Sequence, residues 1–176
     1  MKTSIAAAAC GAALLIATSA LAAAPAAAPG AAPAAAAPAA PAPTPAPPIG
    51  NNITLEQAKQ VVAAAEAEAT KRGLKATIAI VDTAGTLVYY QKATGAPYTA
   101  WDFSYKKAVS AARNRRQTKF DADRAAAGNP TLQYAPDIFP FAGGVPIVLD
   151  GKLIGAIGET GGADQDVALA GAAIFK

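Results

Sequence analysis

The sequence predicts an α+β domain, an antiparallel sheet with helices on its faces, and three observations lead there. Gly143 to Gly162, GGVPIVLDGKLIGAIGETGG, sets two apolar runs on either side of Asp150-Gly151, a pair that tolerates the positive φ values of a two-residue type I′ turn. Ala76 to Gln91 repeats the pattern, with ATIAIVD and TLVYYQ separated by Thr83-Ala84-Gly85. Segments of helical period precede, separate and follow these hairpins. Hairpins pair locally and antiparallel, so a parallel βαβ arrangement is not expected.

Taken in order, Met1 to about Ala24 reads as a secretory signal peptide: Lys2, the apolar run IAAAACGAALLIA, then small residues in TSALAAAPA that offer Ala-x-Ala cleavage sites. The apolar part is shorter than the ~20 residues of a spanning helix, so no transmembrane segment is expected after cleavage. Cys10, followed by Gly11, admits a lipoprotein site as an alternative to a cysteine within the apolar core of the signal. Residues 25–50 form a linker of Ala and Pro, and Ala24 to Pro48 carries nine of the fourteen prolines. Proline removes backbone donors and holds extended geometry, and alanine offers too little apolar surface for a core. Residues 51–176 remain for one folded domain.

Thr54 and Gln57 have the spacing of a capping box, and Leu55, Ala58, Val62, Ala65 and Ala69 form one stripe of a helix that ends near Arg72 and Gly73. After the first hairpin, Gly95 and Pro97 break the chain. Thr99 and Asp102 are placed to cap a second helix to about Arg115, with Trp101, Tyr105, Ala108 and Ala112 on one face. Gly128 to Pro140 carries three prolines among Tyr134, Ile138 and Phe139, the composition of an ordered loop able to cover a pocket or meet a neighbouring subunit. In the last hairpin Gly155 and Gly158 pack nothing of their own, which predicts a bulge or another backbone or ligand lying close. Asp164 is placed to cap a final helix bearing Val167, Ala170 and Ile174.

Composition removes several chemistries. The chain has no histidine and one cysteine, which closes His-based metal binding, His general-base catalysis, His axial ligation and any disulfide within one chain. The net charge of +3 is too small to argue for nucleic acid. Phosphate-loop, nucleophile-elbow, zinc and dinucleotide signatures are missing, since GAIGETGG lacks the Gly-Lys-Ser/Thr ending and the strand-turn-helix order. Asp82, Asp150 and Asp166 stand at turn or first-turn positions that favour structural roles. Tyr89, Tyr90, Tyr98, Tyr105 and Tyr134 are oxygen donors for ferric iron as well as core aromatics. Lys106, Lys107, Arg113, Arg115, Arg116, Lys119 and Arg124, opposed locally by Asp121 and Asp123, form a basic stretch. It reads either as a solvated face complementing the helix dipole or as a site for carboxylates or phosphates.

The closing run Gly143-Gly144-Val145-Pro146-Ile147, Asp150-Gly151, Ile154-Gly155-Ala156-Ile157-Gly158, Gly161-Gly162 and Gln165-Asp166 resembles the GlcG/HbpS family of haem-binding, haem-degrading domains, related to the C-terminal part of PduO-type cobalamin adenosyltransferases. Leu55 to Ala58, Val81 to Gly85, Gly95-Ala96 and Lys107-Ala108 extend the likeness over residues 51–176. The resemblance implies a profilin-like five-stranded antiparallel sheet flanked by helices, the fifth strand coming from Phe139 to Gly143 or from a split of the long hairpin. It also implies homo-oligomers and haem as ligand. The chain departs from the family pattern at Lys92 and Thr94, at Glu159-Thr160 in place of Val-Ser, and in lacking histidine.

The resulting expectation is a periplasmic or extracellular, oligomeric haem-binding or haem-sensing module, non-catalytic or weakly haem-degrading, whose ligand is haem or another small anion, with a protein partner at the cell surface and no nucleic acid. The candidate ligand residues are Thr94, Tyr98, Lys107, Arg113, Tyr134, Gly143 and Gly144, with no metal site of the protein's own. Iron would take an oxygen or lysine donor, and Arg113, Arg115, Arg116 or Lys119 would pair the propionates. Two alternatives stand beside it: an enzyme acting on a small organic acid or on haem in a pocket lined by Gly143, Gly144 and Lys107, and an oligomeric scaffold on an Ala/Pro stalk.

Overall fold

The computed structural model describes residues 45–175. The expected signal peptide, Cys10 and most of the Ala/Pro-rich stretch lie outside the described residues.

Helix α1, Leu55–Lys71, starts at Thr54, whose hydroxyl accepts from the Gln57 amide while Gln57 accepts from the Thr54 amide. This capping box satisfies two of the donors that a helix start leaves open. Strands β1, Thr77–Asp82, and β2, Leu87–Lys92, form the first hairpin. Its turn is closed by Asp82, whose carboxylate accepts from the Ala84 and Thr86 amides. Helix α2 is Ala100–Asn114, α3 is Thr118–Ala126, and a single 3-10 turn covers Pro130–Tyr134. Strands β3, Gly144–Leu149, and β4, Lys152–Thr160, form the second hairpin, and helix α4, Asp164–Ala172, follows. Asp150 and Gly151 both have positive φ, 50° and 73°, as a type I′ turn requires.

The sheet is antiparallel in the order β2-β1-β4-β3, so each hairpin contributes one central and one edge strand. Among the described residues it has four strands, which corrects the expected five. Phe139 to Gly143 is not a strand because other groups hold its backbone. The Phe139 amide donates to Ser110 Oγ, and the Phe141 carbonyl accepts from Thr118 Oγ1. The nearest approach to a fifth strand lies before α1, where Ile49 bridges Leu153 in parallel and Gly50 and Ile53 donate to the Leu153 and Ile154 carbonyls.

Helices α1 and α4 cover one face, burying Val61, Val62, Ala65, Val167 and Ala168 against Ile78, Ile80, Ile147 and Ile157. Helix α2 covers the other through Ala108, Ala111 and Ala112 against Ala79, Val81 and Ala156. The small side chains let α2 sit unusually low on the sheet. A Cβ on Gly158 would overlap the Ser104 carbonyl and the Ala108 amide nitrogen, and one on Gly144 would overlap the Lys107 carbonyl. The backbone expected to lie close to Gly158 is therefore that of α2.

Two further expectations are corrected, and one helix is added. Neither Thr99 nor Asp102 caps α2, because Thr99 is already helical (ψ −16°) and makes no side-chain cap bond. Asp164 does not cap α4 but lies inside it, turned back toward the preceding loop. Helix α3 was not expected at all, since only Thr118 and Asp121 of its residues are buried and no apolar stripe marks it. None of the described helices is long and apolar enough to cross a membrane.

Candidate functional site

The C-terminal end of β4 gathers the chemically distinctive residues. Lys107, on the sheet side of α2, is 2% exposed, and its ammonium donates to the Glu159 carbonyl (2.8 Å), Thr160 Oγ1 (3.2 Å) and Asp164 Oδ2 (2.5 Å). All three of its N–H donors are thereby engaged. Asp164 uses its other oxygen to accept from the Gly161 and Gly162 amides, at 3.0 and 2.8 Å. One carboxylate thus ties α2, the Thr160–Asp164 turn and the start of α4 together. Gly162 has φ +141°, a conformation open to glycine.

Glu159 completes the cluster from the opposite face of the sheet. It pairs across the strands with Ile78, a residue of the core beneath α1 and α4. Its side chain is 1% exposed, and Oε2 has no hydrogen-bond partner. Burial, with the neighbouring Asp164 charge adding and the Lys107 ammonium opposing, pushes its carboxyl up to about 8. The environment thereby favours the protonated form of Glu159 at neutral pH.

Two hollows share Thr160, Gly162 and Asp164. One, about 560 Å³, runs along Phe103, Lys107, Phe141 and Gln165; the other, about 440 Å³, along Lys75, Gly95, Ala96, Pro97 and Ala100. Phe103 meets Phe139 and Phe141 edge-on, with centroids 5.4 and 5.3 Å apart, giving the first hollow a rigid aromatic wall. Exposed Lys106 lies over the Phe139 ring. A third hollow, about 650 Å³ under the 3-10 turn, is lined by apolar and amide residues such as Pro130, Leu132 and Ile138. A fourth, about 480 Å³, opens between α3 and β3 beside Arg115, Arg116 and Lys119.

Of the residues singled out from sequence, the fold unites Lys107, Gly143 and Gly144. The two glycines serve packing: Gly143 accepts from the Glu159 amide and donates to Gln165 Oε1, and the Gly144 amide donates to Thr118 Oγ1. Thr94 and Tyr98 stand on the exposed turn beside the second hollow, Tyr98 94% exposed with the Lys92 ammonium 5.0 Å above its ring. Arg113 is elsewhere, bound to Asp137 and to the Ala84 carbonyl, and Tyr134 is 80% exposed on the 3-10 turn. Much of the basic stretch is internally neutralised, with Arg116 and Arg124 on buried Asp121 and Lys119 on Asp123. Sequence reasoning did not assign Glu159 or Asp164 to the site. The signal for Glu159 was a carboxylate closing an otherwise apolar strand.

These features define an antiparallel α+β domain with two adjoining hollows at one sheet end, their shared polar wall tied to a buried lysine. The chain belongs to the HbpS-like family, whose model, described as haem degrading protein HbpS-like, matches residues 53–174. It is 34% identical to Protein GlcG of Escherichia coli K12 over 106 residues, 60% of this chain and 79% of GlcG. Its fold is similar to that of a double mutant of Streptomyces reticuli HbpS, with TM-score 0.65 and 31% identity over 84% of this chain and 99% of that one. It also resembles the PduOC:heme complex, with TM-score 0.63 and 24% identity over 71% and 96% of the two chains, a likeness of fold.

Proposed function

We propose that this chain is a haem-binding, non-catalytic member of its family, exported to the periplasm or beyond, and that it works as an oligomer with a protein partner at the cell surface. The observation that carries the reading is the pair of hollows meeting at the Thr160–Asp164 turn, one walled by phenylalanine rings and together comparable in size to the ligand sites of other proteins.

The residues present fit haem as a guest held by its faces and edge. Phe103 and Phe141 offer apolar contact, and Lys75, which lines the second hollow, and Lys106 are the cations suited to propionates. Both lack an ion-pair partner among the described residues. Lys107 is not an iron ligand, because its ammonium is held by three acceptors and a ligating lysine must be neutral. With no histidine in the chain, an iron ligand would be an oxygen donor: Asp164 and Asp166 line the hollows but are paired with Lys107 and Arg72, which leaves Tyr98, on the turn beside the second hollow, as the phenol suited to ferric iron. Bound haem would supply redox-active iron at this rim. Binding is favoured over acid–base catalysis because Glu159 lines neither hollow and Lys107 has no spare donor.

Hemin titration of the mature protein tests the reading. Saturable binding with a Soret band that shifts in Tyr98→Phe supports it; a linear, non-saturating absorbance change rejects it.

A further inference from the structure

Glu159 presents an electrostatic problem that the fold leaves open. Around it lie two carboxyl groups, Glu159 and Asp164, and one buried cation, Lys107, whose hydrogen-bond donors are already filled. The remaining charged groups on the elements packed nearby are committed or turned away. Arg72 at the end of α1 binds Glu68 and Asp166, and Lys71 binds Glu68. Lys75 points toward the Gly95 turn, where its Nζ would lie 3.2 Å from a Cβ on that glycine. On α2, Asp102 and Lys106 are exposed. Strand β1 offers Thr77 and Ile78 at this level, and β3 begins with uncharged residues. A negative charge on Glu159 therefore has no cation of its own, Lys107 being hydrogen-bonded to Asp164, and no donor at Oε2, so its burial as an anion is unfavourable.

The segment in contact with it is the turn that follows. Gly161 leaves so little room that its Cβ would stand 2.8 Å from Glu159 Oε1, and the turn is held by the two amide bonds to Asp164. Thr160, Gly162 and Asp164 are also the wall between the two hollows. We propose that Glu159 is a proton-holding residue whose ionisation releases the Thr160–Asp164 turn, so that the shape of both hollows, and any ligand in them, is controlled by pH. The direction follows from charge: the closed turn belongs to the protonated form, and alkalinity opens it. The elevated carboxyl described above supports the placement of this transition on the alkaline side of neutrality.

The test needs no ligand, so its outcome is independent of whether haem binds. Amide hydrogen exchange at Gly161 and Gly162 is followed in the full chain from pH 6 to 10, as protection relative to the intrinsic rate. Wild type is expected to lose protection about tenfold per pH unit once Glu159 ionises, whereas Glu159→Gln keeps constant protection over the same range. Parallel profiles for the two proteins overturn the proposal. Should Glu159→Gln not fold, NMR of the wild type decides: a Glu carboxyl titrating above the ordinary range with the Gly161 and Gly162 amide shifts moving in step upholds it, and amide shifts that do not follow a raised Glu carboxyl, or no raised carboxyl, overturn it.

Discussion

Replacing Lys107 by methionine probes the cluster with little change of volume. The substitution removes three hydrogen bonds, to the Glu159 carbonyl, Thr160 Oγ1 and Asp164, and leaves Asp164 without its cation. Breaking a buried pair by deleting one partner costs about 3–5 kcal/mol. Asp164 retains 23% side-chain exposure and two amide donors, which places the expected loss at the lower end, about 3 kcal/mol. With a urea slope of about 1–3 kcal/mol per molar, the midpoint at pH 7 falls by at least ~1 M. Adding Asp164→Asn keeps an acceptor for the glycine amides while removing the stranded charge. The double variant should therefore regain about 1–2 kcal/mol relative to the sum of the single losses. A loss below about 1 kcal/mol for Lys107→Met, or strict additivity in the double variant, would refute the reasoning.

Other outcomes follow from the same packing. Gly158→Ala drives a methyl into the α2 backbone and should destabilise by about 1–3 kcal/mol or more, read by thermal unfolding; a neutral result contradicts the close α2–β4 approach. Wild-type stability should decline as pH rises from 4.5 toward 8, because folded Glu159 keeps its proton over a range in which the unfolded chain releases it. At 1.36 kcal/mol per pH unit the full loss is at most about 5 kcal/mol, and urea titrations at pH 5 and 8 measure it. Glu159→Val should be more stable than wild type at pH 8, with the advantage shrinking at pH 5. Tyr98→Phe should leave the fold unchanged by circular dichroism and alter the hemin spectrum.

Much of the architecture was legible because its causes are local. Asp150-Gly151 dictates a turn by backbone preference, Thr54 and Gln57 cap α1 through their own side chains, and the apolar runs on either side of each turn have nothing else to pair with. Helix α3 was hidden because its helical pairs are ionic, Lys119 with Asp123 and Arg124 with Asp121, and carry no hydrophobic period. Phe139 to Gly143, one of two places expected to supply a fifth strand, is not one for the converse reason: its apolar residues pack as rings on Phe103 rather than as alternating strand faces.

The site was legible in part. Lys107 drew attention as a member of a basic stretch, yet what distinguishes it is burial beneath α2, which depends on the glycines of β3 and β4 admitting that helix. Asp164 looked like a helix cap because its sequence position suits one; the Gly161 and Gly162 amides and the tertiary approach of Lys107 turn it back instead. Arg113 and Tyr134 could not be separated from the site by spacing, since Asp137 and the 3-10 turn draw them away through contacts distant in sequence.

Paramagnetic line broadening of backbone amides on adding hemin tests the central claim most directly. The account expects broadening concentrated at Gly95 to Ala100, at Phe103, at Phe141 and along Thr160 to Asp164. Broadening centred instead on Arg115 to Phe120 and Val148, or on Pro130 to Ile138, would contradict it.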